Sequence, residues 1–307
     1  MMRNICIRRM SSASFSEINK FSAMDESWWD PQKNPLISMN VVRVNYIKSM
    51  VQKYGRNQGD STGGHKLNHH HLPLEHLKAV DVGCGGGLLS ESLARLGADV
   101  TAIDPSERLV QVARERAKQQ QSATNDSSSS YPFRPIHFVG GQTLEEWVAQ
   151  QRQHHQEKTQ ASSPSSSFDL ICILEVIEHI PTSRQAVSLF ETACSLVCPH
   201  HGLLFVSTIN RTWKSHFMTI LGAEYIMGYL PIGTHNWNQY WSPEELARLA
   251  HETGWEQVDV CGMVVMPPKL HQIPSLLGRG SGGSWEWKLD PNDTDINWIG
   301  TYRKRQE

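Results

Sequence analysis

A glycine-rich turn between two apolar, strand-like segments is the part of this chain best suited to bind a ligand. Residues 79–88 read AVDVGCGGGL, and the apolar stretch VTAI at 100–103 is followed by Asp104. Glycines let a backbone approach a ligand closely, and a helix that starts after such a turn offers unpaired N–H groups. A carboxylate at the end of the second strand can accept hydrogen bonds from both hydroxyls of a ribose. The pattern therefore predicts a cofactor that contains a ribose.

The spacing of the glycines separates this turn from the dinucleotide-binding fingerprint, which is G-x-G-x-x-G. Here Gly83 is followed by Cys84 and three successive glycines, and Asp81 lies inside the preceding strand. The D-x-G-x-G-x-G form of residues 81–87 resembles the first motif of the class I methyltransferases that use S-adenosylmethionine. The alternatives are a dinucleotide site and a tight turn that binds nothing.

A second group of polar side chains follows the strand predicted at 169–174. Glu175 comes where that strand ends, at the sheet edge where α/β enzymes bind ligands, and Glu178 and His179 follow three and four positions later. On a helical turn the three would share one face. Two carboxylates and one imidazole suit Mg²⁺ or Mn²⁺ better than a structural zinc. The spacing leaves a second interpretation open, in which Glu178 and His179 only cap a helix.

The order of the predicted elements indicates a Rossmann-like α/β fold. Strand-like segments are predicted at 79–82, 99–103, 136–139, 169–174 and 202–208. Helix-like segments are predicted at 18–29, 40–54, 88–96, 107–120, 143–150 and 183–196. The alternation predicts a mostly parallel sheet with helices on both faces and right-handed crossovers. Segments 255–266 and 298–304 would complete seven strands as an antiparallel edge hairpin.

Composition sets further bounds. A net charge of −2 provides no general attraction to nucleic acid, and six cysteines without C-x-x-C spacing indicate reduced thiols. The first 16 residues contain three arginines, several serines and no acidic residue, which is typical of a mitochondrial transit peptide; the alternative is a start of the chain with no targeting role. Residues 17–307 are predicted to form one domain. Four polar stretches of this domain are expected to be loop inserts that take no part in ligand binding or catalysis. They are 56–75, 119–130, 150–167 and 278–283.

Longer segments carry a narrower resemblance. Residues 168–180 (FDLICILEVIEHI), 205–215 (FVSTINRTWKS) and 222–237 (GAEYIMGYLPIGTHNW), together with 40–47 (NVVRVNYI), resemble the ubiquinone-biosynthesis O-methyltransferases, in particular their mitochondrial branch. The resemblance implies cofactor contacts at Arg43, Gly83, Asp104 and Leu174. A guanidinium such as that of Arg43 suits the carboxylate of the cofactor's methionine part. The resemblance also implies a divalent cation, expected to be Mg²⁺, held by Glu175, Glu178 and His179.

The same resemblance implies a reaction and partners. The expected reaction moves a methyl group from S-adenosylmethionine to hydroxyls of polyprenylated dihydroxybenzoate and demethylubiquinol intermediates. The expected location is the matrix side of the mitochondrial inner membrane, with other enzymes of a coenzyme Q complex as partners. Residues 213–230 are rich in aromatic and aliphatic side chains interrupted by charges, which predicts contact with lipid headgroups or a helix that closes the substrate pocket. Rival hypotheses are a carbon or nitrogen acceptor and a catalytically silent scaffold.

Overall fold

A single mixed sheet organises the described part of the chain. The computed structural model describes residues 12–55, 72–126, 133–158, 167–217, 236–266 and 286–306. Its strands are β1 (Lys78–Val82), β2 (Asp99–Asp104), β3 (Ile136–Gly140), β4 (Leu170–Leu174), β5 (Leu203–Ile209), β6 (Trp255–Val265), β7 (Trp287–Asp290) and β8 (Asn297–Lys304). Their order across the sheet is β3-β2-β1-β4-β5-β8-β6-β7. The predicted Rossmann-like α/β fold is confirmed.

Helices cover both faces of this sheet. They are α1 (Phe15–Ser22), α2 (Leu36–Tyr54), α3 (Leu88–Arg95), α4 (Glu107–Asp126), α5 (Leu144–Lys158), α6 (Ser183–Leu196), the single turn α7 (Trp213–Ser215) and α8 (Pro243–Glu252). One apolar cluster joins α2 and α3 to the sheet through residues such as Ile47, Leu93 and Phe205. A second joins α6 and α8 to the opposite face, where Phe190 and Trp298 are fully buried. Every residue of β4 and β5 is buried as a result, which is why these strands read as continuous apolar runs.

The parallel half of the sheet contains a topological switch point. Strand β1 pairs in parallel with β2 on one side and with β4 on the other. The chain therefore moves outward through β2 and β3 and then returns to the middle of the sheet at β4. A crevice opens at the carboxyl ends of such strands, and α/β proteins bind ligands there. The glycine loop after β1, Asp104 at the end of β2 and Leu174 at the end of β4 all reach this crevice.

The antiparallel edge is larger than predicted. Strand β8 lies between β5 and β6, and β7 adds an eighth strand beside β6, so the prediction of seven strands was one short. Strand β7 is only four residues long and reads WKLD. Two charged residues in so short a segment give no apolar run, which is why its sequence does not indicate a strand.

Two of the predicted loop inserts begin as helix. Helix α4 continues to Asp126 and α5 to Lys158, so the first part of the stretches 119–130 and 150–167 is helical rather than loop. Glutamine, arginine, lysine and alanine are good helix formers, and a polar surface helix needs no apolar stripe over its last turns. Of the other predicted insert positions, 56–71, 127–130, 159–166 and 278–283 lie outside the described residues.

The start of the described chain packs onto the domain. Ser14 caps helix α1 by accepting a hydrogen bond from the backbone N–H of Glu17, and buried Ser12 donates to Glu145 on α5 at 3.1 Å. Residues 12–16 thus form contacts with the domain although they fall inside the predicted transit peptide, whose first 11 residues lie outside the described part. In the described ranges we find no helix with the length and apolar character required to cross a bilayer.

Candidate functional site

A cavity of about 230 Å³ occupies the crevice between β1 and β4. We call it the switch-point pocket. Its floor is formed by the glycine loop and by the ends of β2 and β4, and its cover by α1 and the turn that follows α1. All seven residues predicted to bind cofactor or metal line this pocket: Arg43, Gly83, Asp104, Leu174, Glu175, Glu178 and His179.

The glycine loop is fastened to the neighbouring strand by its own backbone. The N–H groups of Gly83 and Cys84 both donate to the carbonyl of Ile103, at 2.8 and 3.1 Å. Gly83 has a φ of +70°, a left-handed conformation that favours glycine. A side chain there would also collide with Val176. The loop therefore has a fixed shape and presents backbone without side chains to the pocket. A ligand can lie directly against such a surface.

Asp104 is a buried carboxylate fixed by two backbone donors. Its Oδ1 accepts from the N–H of Ser106 at 2.7 Å, and its Oδ2 accepts from the N–H of Gly85 at 2.8 Å. Burial raises the pKa of Asp104 to about 6, although these two hydrogen bonds oppose the increase. Each carboxylate oxygen can accept a further hydrogen bond. Asp104 is thus positioned to receive the hydroxyls of a ribose.

Asp81, inside β1, is the second buried acid beside the glycine loop. Its Oδ2 accepts from the hydroxyl of Ser90 at 2.5 Å. Burial raises the pKa of Asp81 to about 7. The bond to Ser90 ties the end of β1 to helix α3, the helix that the glycine loop opens.

Arg43 carries positive charge into the pocket from α2. Its side chain is 6% exposed, and its Nη2 lies 3.2 Å from Oε1 of Glu175. Nη2 also donates to the sulfur of Met39 at 2.8 Å. The buried Nε–H of Arg43 has no hydrogen-bond partner among the described residues. A buried guanidinium with an unused donor fits a ligand carboxylate.

Glu175 stands at the junction between β4 and the following turn. Its φ is +56°, which is uncommon for a residue other than glycine and which turns the chain away from the strand direction. Its carboxylate accepts from Ser207 on β5 at 2.6 Å and from Asn297 on β8 at 3.4 Å, in addition to the ion pair with Arg43. Three elements therefore hold Glu175 in place.

Glu178 and His179 lie in a short 3₁₀ turn, Ile177–His179. Glu178 is buried, and its Oε2 has no hydrogen-bond partner among the described residues. Burial, together with the nearby charge of Glu175, raises the pKa of Glu178 to about 7. His179 instead faces α1, with its Nδ1 3.2 Å from Oε2 of Glu17 and its ring edge-on to Phe21 at 4.7 Å.

The predicted metal ligands share the pocket without converging on one point. Nowhere in the described ranges do three or more His, Cys, Asp or Glu side chains form a group able to hold a metal ion. The shared helical face expected from the spacing does not form, because Glu175 has left-handed backbone and a 3₁₀ turn follows it. The two glutamates fit a cation, since Glu178 offers an unpaired buried oxygen beside a second carboxylate. His179 does not join them in this arrangement, because Glu17 lies against its Nδ1.

The cover of the pocket is the part of the site that sequence reasoning missed. Glu17, Phe21 and Trp28 all line the cavity, although they precede the glycine loop by more than fifty residues. The paired tryptophans at 28 and 29 are the one signal that could have indicated it, because two adjacent large aromatic residues next to a turn need a surface to cover.

Comparison with known proteins agrees with this geometry. Residues 63–260 match the family model described as a methyltransferase domain. The ubiquinone biosynthesis O-methyltransferase of Methylocella silvestris is 33% identical over 298 residues, covering 96% of each chain. That of Methylobacterium sp. (strain 4-46) is 37% identical over 287 residues, covering 92% of each.

Among solved structures, the plantazolicin methyltransferase BpumL in complex with SAH matches with a TM-score of 0.50 at 14% identity, covering 94% of this chain and 90% of that one. At this identity the likeness supports the fold alone. The family model and the relatives support more, because they span most of the chain. The chain belongs to the ubiquinone biosynthesis O-methyltransferases, a family of class I methyltransferases that use S-adenosylmethionine.

Proposed function

We propose that this protein transfers the methyl group of S-adenosylmethionine to a phenolic hydroxyl of a ubiquinone precursor. The observation that carries the proposal is the placement of Asp104 and Arg43 in one pocket, over a glycine loop with bare backbone. Asp104 would hold the ribose, Arg43 the methionine carboxylate, and Gly83 and Leu174 the walls between them. The names of the relatives supply the acceptor class.

The reaction is a displacement at carbon. The acceptor hydroxyl would lose its proton to solvent, and the resulting phenolate oxygen would form a bond to the methyl carbon. The carbon–sulfur bond would break, with its electron pair staying on sulfur to give S-adenosylhomocysteine. Holding the two reactants in line contributes on the order of 7–11 kcal/mol to such a step. Asp104 and Arg43 would supply the cofactor's part of that alignment by holding its ribose and its carboxylate.

The glutamates serve the acceptor side of the pocket. Glu175 is held by Arg43, Ser207 and Asn297, and Glu178 turns an unpaired oxygen into a buried space beside it. We propose that Glu175 and Glu178 hold a divalent cation, with His179 as a third ligand once it leaves Glu17. A cation bound there would lower the pKa of the acceptor hydroxyl.

Chelation provides a test of this cation. We expect excess EDTA to abolish methyl transfer while the dissociation constant of S-adenosylhomocysteine stays unchanged, because Asp104 and the glycine loop do not contact the glutamates and Glu175 keeps its ion pair with Arg43 without the cation. Glu178→Gln should remove Mn²⁺ binding measured by calorimetry, whereas Glu191→Gln, an exposed change on α6, should not. Full activity in EDTA would exclude a cation with a role in the reaction, and unchanged Mn²⁺ binding in Glu178→Gln would remove Glu178 from its ligands.

We also propose that the protein acts at the matrix side of the mitochondrial inner membrane, with residues 1–16 as its import signal and other coenzyme Q enzymes as neighbours. Two large apolar side chains support the membrane contact, since Trp213 is 73% and Phe217 61% exposed. Lys214 between them pairs with Asp293 and Asp295. The rest of the predicted membrane segment, residues 218–230, lies outside the described part.

The double variant Trp213→Asp/Phe217→Asp tests the membrane contact. It should reduce sedimentation with anionic liposomes, because two apolar side chains that enter the headgroup region are replaced by charges. Activity on long-tailed acceptors should fall more than activity on short soluble ones, since only delivery is lost. Val41→Asp, at a similarly exposed apolar position on α2, is the matched control and should sediment normally. Equal sedimentation of the double variant and wild type would refute the contact.

Substrate choice is tested by a direct assay. We expect methylation of a short-tailed prenyl dihydroxybenzoate and of a short-tailed demethylubiquinol, and competition between the two. Turnover of only one of them would restrict the proposal to that step. Turnover of neither, in protein that binds the cofactor, would reject the proposed acceptor class.

A further inference from the structure

Two adjacent tryptophans lie on the glycine loop. The indole of Trp28 packs against Gly85 and Gly86 so closely that a side chain on either glycine would overlap it. Trp29 donates from its Nε1 to the carbonyl of Gly86 at 3.0 Å. Gly85 and Gly86 therefore make room for Trp28, in addition to exposing backbone.

The two indoles differ in one respect. The N–H of Trp29 is satisfied by Gly86, and its ring is stacked on the guanidinium of Arg116 at 3.7 Å. Trp28 is only 7% exposed, and its Nε1–H is buried without a hydrogen-bond partner among the described residues. Buried indole N–H groups usually have a partner, because an unsatisfied donor costs free energy. The donor of Trp28 thus lacks an acceptor.

The surroundings indicate where the acceptor belongs. Trp28 lines the switch-point pocket, and the glycine it covers, Gly85, donates its N–H to Asp104. A ribose hydroxyl that donates to Asp104 keeps lone pairs that can accept a hydrogen bond. A carboxylate held by Arg43 would offer acceptors as well. Bound cofactor would therefore bring further oxygen acceptors into the pocket that Trp28 lines.

We infer that Trp28 is a cofactor-binding residue, whose indole N–H donates to an oxygen of bound S-adenosylmethionine. This inference rests on the proposed cofactor site. It gives the cover of the pocket a binding role, because the segment that carries Trp28 also carries Glu17 and Phe21. The indole of Trp28, which already packs on the glycine loop, would then also bind the cofactor. Bound cofactor would therefore stabilise the contact between the cover and the loop.

The substitution Trp28→Phe separates binding from packing. It keeps one aromatic ring against the glycines and removes the donor, together with the second ring of the indole. We expect the dissociation constant of S-adenosylhomocysteine, measured by calorimetry, to rise about threefold to tenfold. The Tm without cofactor should fall no further than in Trp147→Phe, because the removal of an unpaired buried donor offsets part of the lost packing. Trp147→Phe, a change on α5 at a position that does not line the pocket, should leave the dissociation constant unchanged.

A shorter ligand identifies the acceptor. 5′-Methylthioadenosine has the ribose but lacks the carboxylate, so an equal loss for both ligands assigns the ribose, and a loss for S-adenosylhomocysteine alone assigns the carboxylate. A dissociation constant within twofold of wild type would overturn the inference, and so would weaker binding accompanied by a Tm without cofactor below that of Trp147→Phe. Failure of the wild type to bind either ligand would instead refute the proposed cofactor site.

The wild-type protein offers a measurement that does not depend on how the variant folds. In ¹⁵N spectra, S-adenosylhomocysteine should shift one indole N–H resonance downfield and slow its exchange with solvent, and that resonance should be the one assigned to Trp28. An unchanged Trp28 indole resonance at saturating ligand would overturn the inference.

Discussion

Asp104→Asn should weaken the binding of S-adenosylhomocysteine by about tenfold to a hundredfold, the loss expected for one charge-assisted hydrogen bond. The amide keeps one oxygen acceptor but presents a donor where Gly85 or a ribose hydroxyl also donates. Calorimetry measures the change. Asp99→Asn is the matched control, because it makes the same substitution at the exposed start of the same strand. An unchanged dissociation constant in Asp104→Asn would remove this residue from the site.

The same residue predicts a pH dependence. Burial raises the pKa of Asp104 to about 6, so the carboxylate loses its charge as pH falls through that value. Ribose hydroxyls that donate to Asp104 favour its ionised form, and cofactor affinity should therefore fall by about tenfold between pH 7 and pH 5. In Asp104→Asn this part of the pH dependence of cofactor affinity should disappear. The pH dependence that remains would come from Asp81 and Glu178, whose pKa values are both about 7. Wild-type and variant profiles that run parallel would contradict the assignment.

The linked effect on stability has the opposite direction. In the unliganded protein the neutral form of Asp104 is favoured relative to the unfolded chain, where the pKa is near its ordinary value of 3.8. Its contribution to stability is therefore present below about pH 4 and is lost as pH rises to about 6. Binding and folding thus respond to pH with opposite signs at this group.

Arg43→Met should have the second large effect, on both affinity and stability. It removes the group assigned to the methionine carboxylate and leaves Glu175, whose side chain is only 11% exposed, without its ion-pair partner. Removing one partner of a largely buried pair costs about 3–5 kcal/mol of unfolding free energy. We expect a clearly lower Tm and at least tenfold weaker cofactor binding.

A double variant distinguishes the two losses. Arg43→Met/Glu175→Gln removes both charges, so the Tm should recover much of the loss while the cofactor affinity should not. Recovery of both quantities would show that Arg43 acts only by neutralising Glu175, and it would exclude a direct contact with the cofactor. Thermal denaturation and titration calorimetry on the same samples measure both.

Local patterns in the sequence were enough to predict most of the parallel sheet. Strands β1, β2, β4 and β5 are apolar runs that both sheet faces bury, and the predicted helix 183–196 coincides with α6. The glycine loop and Asp104 were predictable because a bare turn and a strand-end acid are defined by neighbours in sequence. These features need no knowledge of distant contacts.

The parts that could not be predicted depend on contacts between distant residues. Trp28 meets Gly85, and Glu17 meets His179, across large separations in sequence that leave no local pattern. The backbone at Glu175 is held left-handed by a strand end and by partners on β5 and β8, so helical spacing was the wrong guide to the 3₁₀ turn that follows. Strand β7 forms through its pairing with β6, and its own sequence does not indicate that pairing.

The central claim is that the switch-point pocket methylates oxygen, and one measurement tests it directly. The protein is incubated with S-adenosylmethionine labelled with ¹³C in its methyl group and a short-tailed prenyl dihydroxybenzoate, and the product is examined by NMR. We predict a labelled carbon at the chemical shift of an aryl methoxy group, formed by wild type and strongly reduced in Asp104→Asn. A labelled methyl on ring carbon, or no labelled product from protein that binds the cofactor, would contradict it.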